Sequence, residues 1–164
     1  MKTDAGTAAL PRGVGKRVAV VSARFYEDLA DWLEDGARRA LDACGVASVD
    51  RLFARVPGCF ELPLASRRLI DTADYDAIVA LGVVIRGETP HFDFVAGECA
   101  RGIMDVQLVT GIPIGFGVLT TDDREQAEER ADPERGDKGY GAAVAAATVA
   151  VIEPKRESAR MGFR

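Results

Sequence analysis

Histidine and tryptophan occur once each in this chain of 164 residues, cysteine three times, and aromatic residues make up 7%. One histidine and three scattered cysteines offer little from which to build a zinc centre, so no metal is expected. Cys44, Cys59 and Cys99 are widely spaced and odd in number, which argues against a disulfide framework and for a reducing, cytoplasmic setting. No apolar run approaches the ~18 residues that suggest a membrane span. The first residues lack the apolar core of a secretory signal, so no targeting segment is expected. A basic block is missing too. The net charge is −5 and the arginines are interleaved with acids, which gives no support for a nucleic-acid partner. What is present is an ordinary globular composition, 48% hydrophobic and 29% charged, in a length that suits one domain.

Residues 1–15 are rich in glycine and small side chains and read as a flexible N-terminal arm. Residues 16–153 read as the domain and 154–164 as a charged, frayed tail. Within the domain, residues 17–22 form a first strand through Val18, Val20 and Val21. In 27–44, Leu29, Trp32, Leu33, Ala37, Ala40 and Leu41 recur at helical spacing, and Gly45 is a helix stop. A second strand is expected over 48–56, ended by Pro57-Gly58, then a helix to about Asp71. The run 77–85 is apolar, rich in β-branched residues and bounded by Asp76 and Gly87, as in a strand buried on both faces. Thr89-Pro90 signals a helix start, with Thr89 as cap and Pro90 in the first turn. That helix runs from about His91 to Thr110, where Gly111-Ile112-Pro113 breaks it. Residues 114–119 form a fourth strand, whose two glycines suggest a close neighbour. Thr120 to Asp123 cap a short charged helix through Arg130, and 132–137 is a loop. An Ala-rich helix follows from Lys138 to about Ile152. Its apolar residues lie on more than one face, which a single small domain would struggle to cover and which hints at subunit contacts. Strand and helix alternate four times, the pattern of an α/β doubly wound parallel sheet.

In such sheets ligands bind beyond the carboxyl ends of the strands, where helix N-termini present free N–H groups. Each of the four strand ends carries something useful there. The first gives Phe25, which could equally be core. The second gives Phe60 and Glu61, and Glu61 suits either a ligand contact or a dipole-favoured first turn. The third gives Glu88, Thr89 and His91. His91 could be an exposed helix-start residue or a proton carrier, since imidazole is the side chain that titrates nearest neutral pH. The fourth gives Thr120 and Thr121, with Arg130 and Lys138 downstream. The cysteines read as small core residues.

Read together, several motifs resemble the 6,7-dimethyl-8-ribityllumazine synthase family. They are Arg24-Phe25, Val56-Pro57-Gly58-Cys59-Phe60-Glu61-Leu62-Pro63, the whole of 82–94, Phe116-Gly117-Val118-Leu119-Thr120-Thr121, Glu125-Gln126-Ala127, Glu129-Arg130-Ala131 and Lys138-Gly139. The resemblance implies a flavodoxin-like three-layer sandwich with a four-stranded parallel sheet. It implies homopentamers, in some members decamers or sixty-subunit icosahedral shells, and no cofactor. It implies the condensation of 5-amino-6-(D-ribitylamino)uracil with 3,4-dihydroxy-2-butanone 4-phosphate, a step of riboflavin biosynthesis that passes through an imine and releases phosphate and water. By position, Phe25 would stack on the pyrimidine, with Cys59, Phe60 and Glu61 lining the ribityl pocket. Val83, Val84 and Ile85 would meet the pyrimidine edge. Glu88 and Thr89 would offer backbone N–H groups to phosphate, and His91 would move protons. Phe116, Arg130 and Lys138 would come from the neighbouring subunit, with Arg130 on the phosphate. Tyr26, Cys59, Asp132 and Asp137 depart from the family pattern, the last two in the loop before Lys138. A related archaeal-type riboflavin synthase would have to hold two lumazines in place of a phosphate ester, which leaves Arg130 without a role. A non-catalytic flavin-binding shell protein would need neither His91 nor Arg130.

Overall fold

The computed structural model describes residues 9–152, so the whole of the expected tail and the first part of the expected arm lie outside the described residues. The elements in chain order are β1 (Val18–Ala23), α1 (Glu27–Ala43), β2 (Arg51–Val56), α2 (Leu62–Thr72), β3 (Ala77–Ile85), α3 (His91–Thr110), β4 (Ile114–Thr121), α4 (Arg124–Ala131) and α5 (Lys138–Ala150). The strands form one parallel sheet in the order β2-β1-β3-β4, the flavodoxin-like order. β1 and β3, the two central strands, are those that read as apolar runs. A strand covered on both faces has no polar side to show.

The pleat divides the core into two layers. Val18, Val20, Val79 and Leu81 point to one face and pack with Leu29, Leu33 and Leu41 of α1 and with Ala143 and Ala147 of α5. Ala19, Val21, Ile78 and Ala80 point to the other and pack with Leu62 of α2 and with Cys99 and Ile103 of α3. Fully burying one such leucine or isoleucine stabilises the fold by about 1.5–3 kcal/mol. The chain already packs at Gly13, whose N–H donates to the Cys44 carbonyl at 2.7 Å.

Four boundaries differ from the sequence reading. Ser48–Asp50 is a 3-10 turn, and β2 begins only at Arg51, opposite Val18, because β1 offers no partner earlier. β4 extends through Thr121, since Thr120 and Thr121 find partners in Val84 and Ile85. The cap of α4 is therefore Asp123, whose carboxylate accepts the Gln126 N–H at 2.8 Å. At the start of α3, Pro90 occupies the cap position and no side chain caps the helix, so Thr89 lacks the capping role.

The glycines of β4 have the close neighbour they suggested. A Cβ at Gly115 would meet the Ala142 carbonyl oxygen at 2.1 Å, and one at Gly117 would meet Ala142 Cβ at 2.9 Å. α5 thus lies against β4 and buries Ala142, Ala143, Ala146 and Ala147 within its own chain. This corrects the expectation that one domain leaves the helix uncovered. A narrower stripe remains exposed: Gly141, Ala145, Thr148, Val149 and Ile152.

Candidate active site

Three loops at the carboxyl ends of β1, β2 and β3 surround a cleft of ≈ 540 Å³. The β1–α1 loop supplies Phe25, which is 74% exposed and so is not core. Its ring meets Tyr26 edge-on with centroids 5.0 Å apart. The β2–α2 loop supplies Gly58, Cys59, Phe60 and Glu61. Phe60 stands 59% exposed. Glu61 reaches back to accept the Gly58 N–H at 2.9 Å, which fixes the loop while leaving carboxylate lone pairs for a further donor. Cys59 is buried, and its thiol lies 3.7 Å from the Val83 carbonyl. Burial, reinforced by the nearby Cys99, pushes that thiol up to about 12, so it stays protonated and serves as an apolar wall.

The end of β3 supplies Val83, Val84 and Ile85 to the same cleft, followed by Gly87, Thr89 and His91. His91 opens α3 and is exposed, so its imidazole is available to a ligand in the cleft. Glu88 sits exposed in the turn and does not line the cleft. The turn is clamped by Arg86. Its guanidinium lies over the Phe92 ring at 4.1 Å, its Nε donates to Asp122 at 3.1 Å and its Nη1 to Asp93 at 3.2 Å. These ion pairs raise the Arg86 pKa above its ordinary value, the Asp122 hydrogen bond being the largest cause.

Phe116, Arg130 and Lys138 are not part of this cleft. They line a second one of ≈ 460 Å³ beside β4, together with Thr120, Gly141, Ala142 and Ala145. Phe116 is 45% exposed on the edge strand. Arg130, at the end of α4, donates from Nη1 to the Gln126 carbonyl at 3.0 Å. The loop from α4 to α5 holds Arg130 near Lys138. A Cβ at Gly136 would lie 2.5 Å from the Glu129 carbonyl oxygen, so only glycine permits that approach. Asp132 accepts the Glu134 N–H and the Arg135 Nε–H, both at 2.8 Å, which hold its carboxyl below the usual range, the backbone bond first. Asp137 takes the left-handed φ of 43° that asparagine, aspartate and glycine tolerate best. Its carboxylate receives both Arg39 nitrogens, at 2.9 and 3.0 Å. The departures at Asp132 and Asp137 therefore keep the loop folded by their own contacts.

Several cleft residues carried no role in the sequence reading, notably Tyr26, Phe92, Phe94 and Val95. Phe92 and Phe94 lie inside the 82–94 motif, and their spacing on α3 from His91 was the available signal. Among the described residues no group of three or more His, Cys, Asp or Glu side chains could hold a metal ion, and no helix is long and apolar enough to cross a membrane.

An exposed aromatic pair, a carboxylate, a helix start with an imidazole, and a separate Arg–Lys pair suit a flat, hydroxylated substrate and an anionic one. Fold and site define an α/β protein of the doubly wound class, with a cleft beyond the carboxyl ends of its parallel strands. The chain matches the model for 6,7-dimethyl-8-ribityllumazine synthase over residues 15–153. It is 54% identical to the 6,7-dimethyl-8-ribityllumazine synthase of Kineococcus radiotolerans over 136 residues, covering 82% of this chain and 83% of that one. Against the 6,7-dimethyl-8-ribityllumazine synthase of Gemmatimonas aurantiaca it is 51% identical over 141 residues, 85% of each. The chain belongs to the 6,7-dimethyl-8-ribityllumazine synthase family.

Proposed function

We propose that this chain condenses 5-amino-6-(D-ribitylamino)uracil with 3,4-dihydroxy-2-butanone 4-phosphate to give 6,7-dimethyl-8-ribityllumazine, at a site shared between neighbouring copies. The observation that carries the composite site is the division of the binding residues between two clefts that share no residue. One has the aromatic faces, the carboxylate and the imidazole, and the other has Phe116, Arg130 and Lys138. Either alone is half a site.

In this reading the pyrimidine stacks against Phe25, with its edge on the backbone of Val83, Val84 and Ile85 and its ribityl chain toward Phe60 and Glu61. The phosphate ester binds the N–H groups at Glu88 and Thr89, where the start of α3 favours an anion. Arg130 of the adjoining copy closes on it with a planar fork. Holding amine and ketone together removes several kcal/mol of the entropic barrier. His91 takes and returns a proton as the imine forms and phosphate leaves, which adds about 10²–10⁴-fold at most. A homopentamer is the assembly this reading favours, with the exposed stripe of α5 and Leu108 and Val109 of α3 among the surfaces to be covered. Three buried free thiols support a cytoplasmic location.

The test combines both substrates with the protein and follows lumazine fluorescence against the uncatalysed condensation, with solution mass measured alongside. Accelerated formation by an assembled species is expected. No acceleration overturns the reaction assignment, and full activity in a stable monomer overturns the shared site.

A further inference from the structure

Glu34 is 4% exposed, yet it sits on the buried side of α1 among Ala30, Leu33, Ala37 and Leu41. Its carboxylate accepts from Ser22 Oγ at 2.5 Å, from Arg24 Nη1 at 3.4 Å, and from Arg55 through Nε at 3.3 Å and Nη2 at 3.0 Å. Arg24 is held from its other side by Asp31 at 2.8 Å. These donors come from the carboxyl ends of β1 and β2, where Ser22 pairs with Arg55 and the Arg24 N–H donates to the Val56 carbonyl at 2.9 Å.

One residue beyond Arg24 is Phe25, and two beyond Val56 begins the Gly58-to-Glu61 wall. Glu34, Ser22, Arg24 and Arg55 themselves do not line the cleft. A buried charge in such a network contributes no more to stability than an apolar side chain of the same size, and often less. What it does supply is a fixed distance between the two loops it ties, because a carboxylate with several charged donors has few ways to rearrange.

We propose that Glu34 is a positioning residue for the pyrimidine half of the site. It sets the separation between Phe25 and the Phe60–Glu61 wall, and so the fit of a flat heteroaromatic ring carrying a polyhydroxyl chain. This inference rests on the function proposed above. The anion half of the site, at the start of α3 and around Arg130, makes no contact with the network.

The test is calorimetric titration of the assembled protein with 5-amino-6-(D-ribitylamino)uracil and, separately, with inorganic phosphate, and turnover is measured in parallel. Glu34→Gln keeps the volume but removes the charge that holds two arginines together. Its Kd for the pyrimidine should rise roughly five- to tenfold, the loss of a charge-assisted contact acting through the wall, while phosphate affinity stays unchanged. Simple destabilisation would lower the binding-competent fraction for both ligands and leave each Kd unchanged. Arg55→Gln removes a donor whose side chain is 60% exposed, so it spares the core. It should raise the pyrimidine Kd about two- to threefold, and it decides the question if Glu34→Gln fails to fold. Unchanged pyrimidine affinity in Arg55→Gln and in any folded Glu34→Gln, or an equal loss for phosphate, overturns the assignment. Tight wild-type pyrimidine binding without lumazine formation would instead sink the function and leave Glu34 in its role. Absence of wild-type pyrimidine binding overturns both.

Discussion

If the two clefts are halves of one site, two crippled chains should repair each other. Arg130→Ala removes the anion contact from one half. A charge-assisted bond of this type contributes about 1.5–3 kcal/mol, so KM for the butanone phosphate should rise roughly tenfold or more, with pyrimidine affinity nearly unchanged. His91→Ala strikes the other half and should lower kcat by roughly one to two orders of magnitude, since proximity retains much of the rate. In a ring of mixed chains each site joins the His91 half of one copy to the Arg130 half of the next. With equal amounts of the two variants assorting freely, about one quarter of sites receive both intact halves and about one quarter receive neither. Refolding the variants together and assaying below the KM for the butanone phosphate should therefore restore about a quarter of wild-type activity, well above either variant alone. Mixing rings that have already assembled should restore nothing until subunits exchange. A co-refolded sample no more active than the mean of its separately refolded components would refute the shared site, because no single chain in the mixture carries both native residues.

Two other outcomes follow from the packing. A Cβ at Gly139 would sit 2.1 Å from the Leu33 carbonyl oxygen, a backbone atom that cannot swing aside. Gly139→Ala should destabilise by about 2–3 kcal/mol, lowering Tm by roughly 5–10 °C at fixed concentration, and unaltered melting would show that α1 and α5 can part without penalty. Burial raises the Cys59 thiol from 9.0 to about 12 and the Cys99 thiol to about 11. The folded state then holds these protons more tightly than the unfolded one, so their contribution is intact below pH ~9 and is lost as pH climbs toward the folded values. At pH ~10 the loss for Cys59 should be about 1 kcal/mol, read as a lower urea midpoint than at pH ~8. A Cys59→Ala variant with an undiminished decline would assign the effect elsewhere.

Most of the fold was legible because its signals are local. The β-branched run at 77–85 and the 3.6-residue recurrence in α1 each specify one element, and both ends of β3 match the structure. The misplaced boundaries are those that a partner decides. Val49 extends the loose apolar alternation of Leu52, Phe53 and Val56, but Ser48 to Asp50 have nothing opposite them, and Thr120 and Thr121 look like caps until β3 supplies pairing. The candidate site was legible as residue types at strand ends, and its division into two clefts rested on the family resemblance alone. Phe116 and Arg130 are 14 residues apart in sequence and line one cleft only when α4 folds back beside β4, and Lys138 joins them through the loop that Gly136 lets pass close to Arg130. Glu34 went unread although it left a signal. It occupies the same helical face as Ala30, Ala37 and Leu41, where an acid has no reason to be unless donors await it.

That position makes α1 more than a covering helix. Its Glu34 turn grips the ends of β1 and β2, behind the cleft that Phe25 and Phe60 line. The flanking residues grip the start of α5: Gly36 admits Asp137 and Tyr140, Leu33 admits Gly139, and Arg39 clasps Asp137 in two bonds. The two clefts open at different places yet both are referenced to α1. In a composite site each half must meet the complementary half of another copy, so errors in the angle between halves within a chain would be repeated at every junction of a closed ring. A single helix that fixes both ends removes that freedom. If the site is composite, this accounts for a buried ion network on α1 and a glycine seam between α1 and α5, since neither arrangement is what stability alone would select.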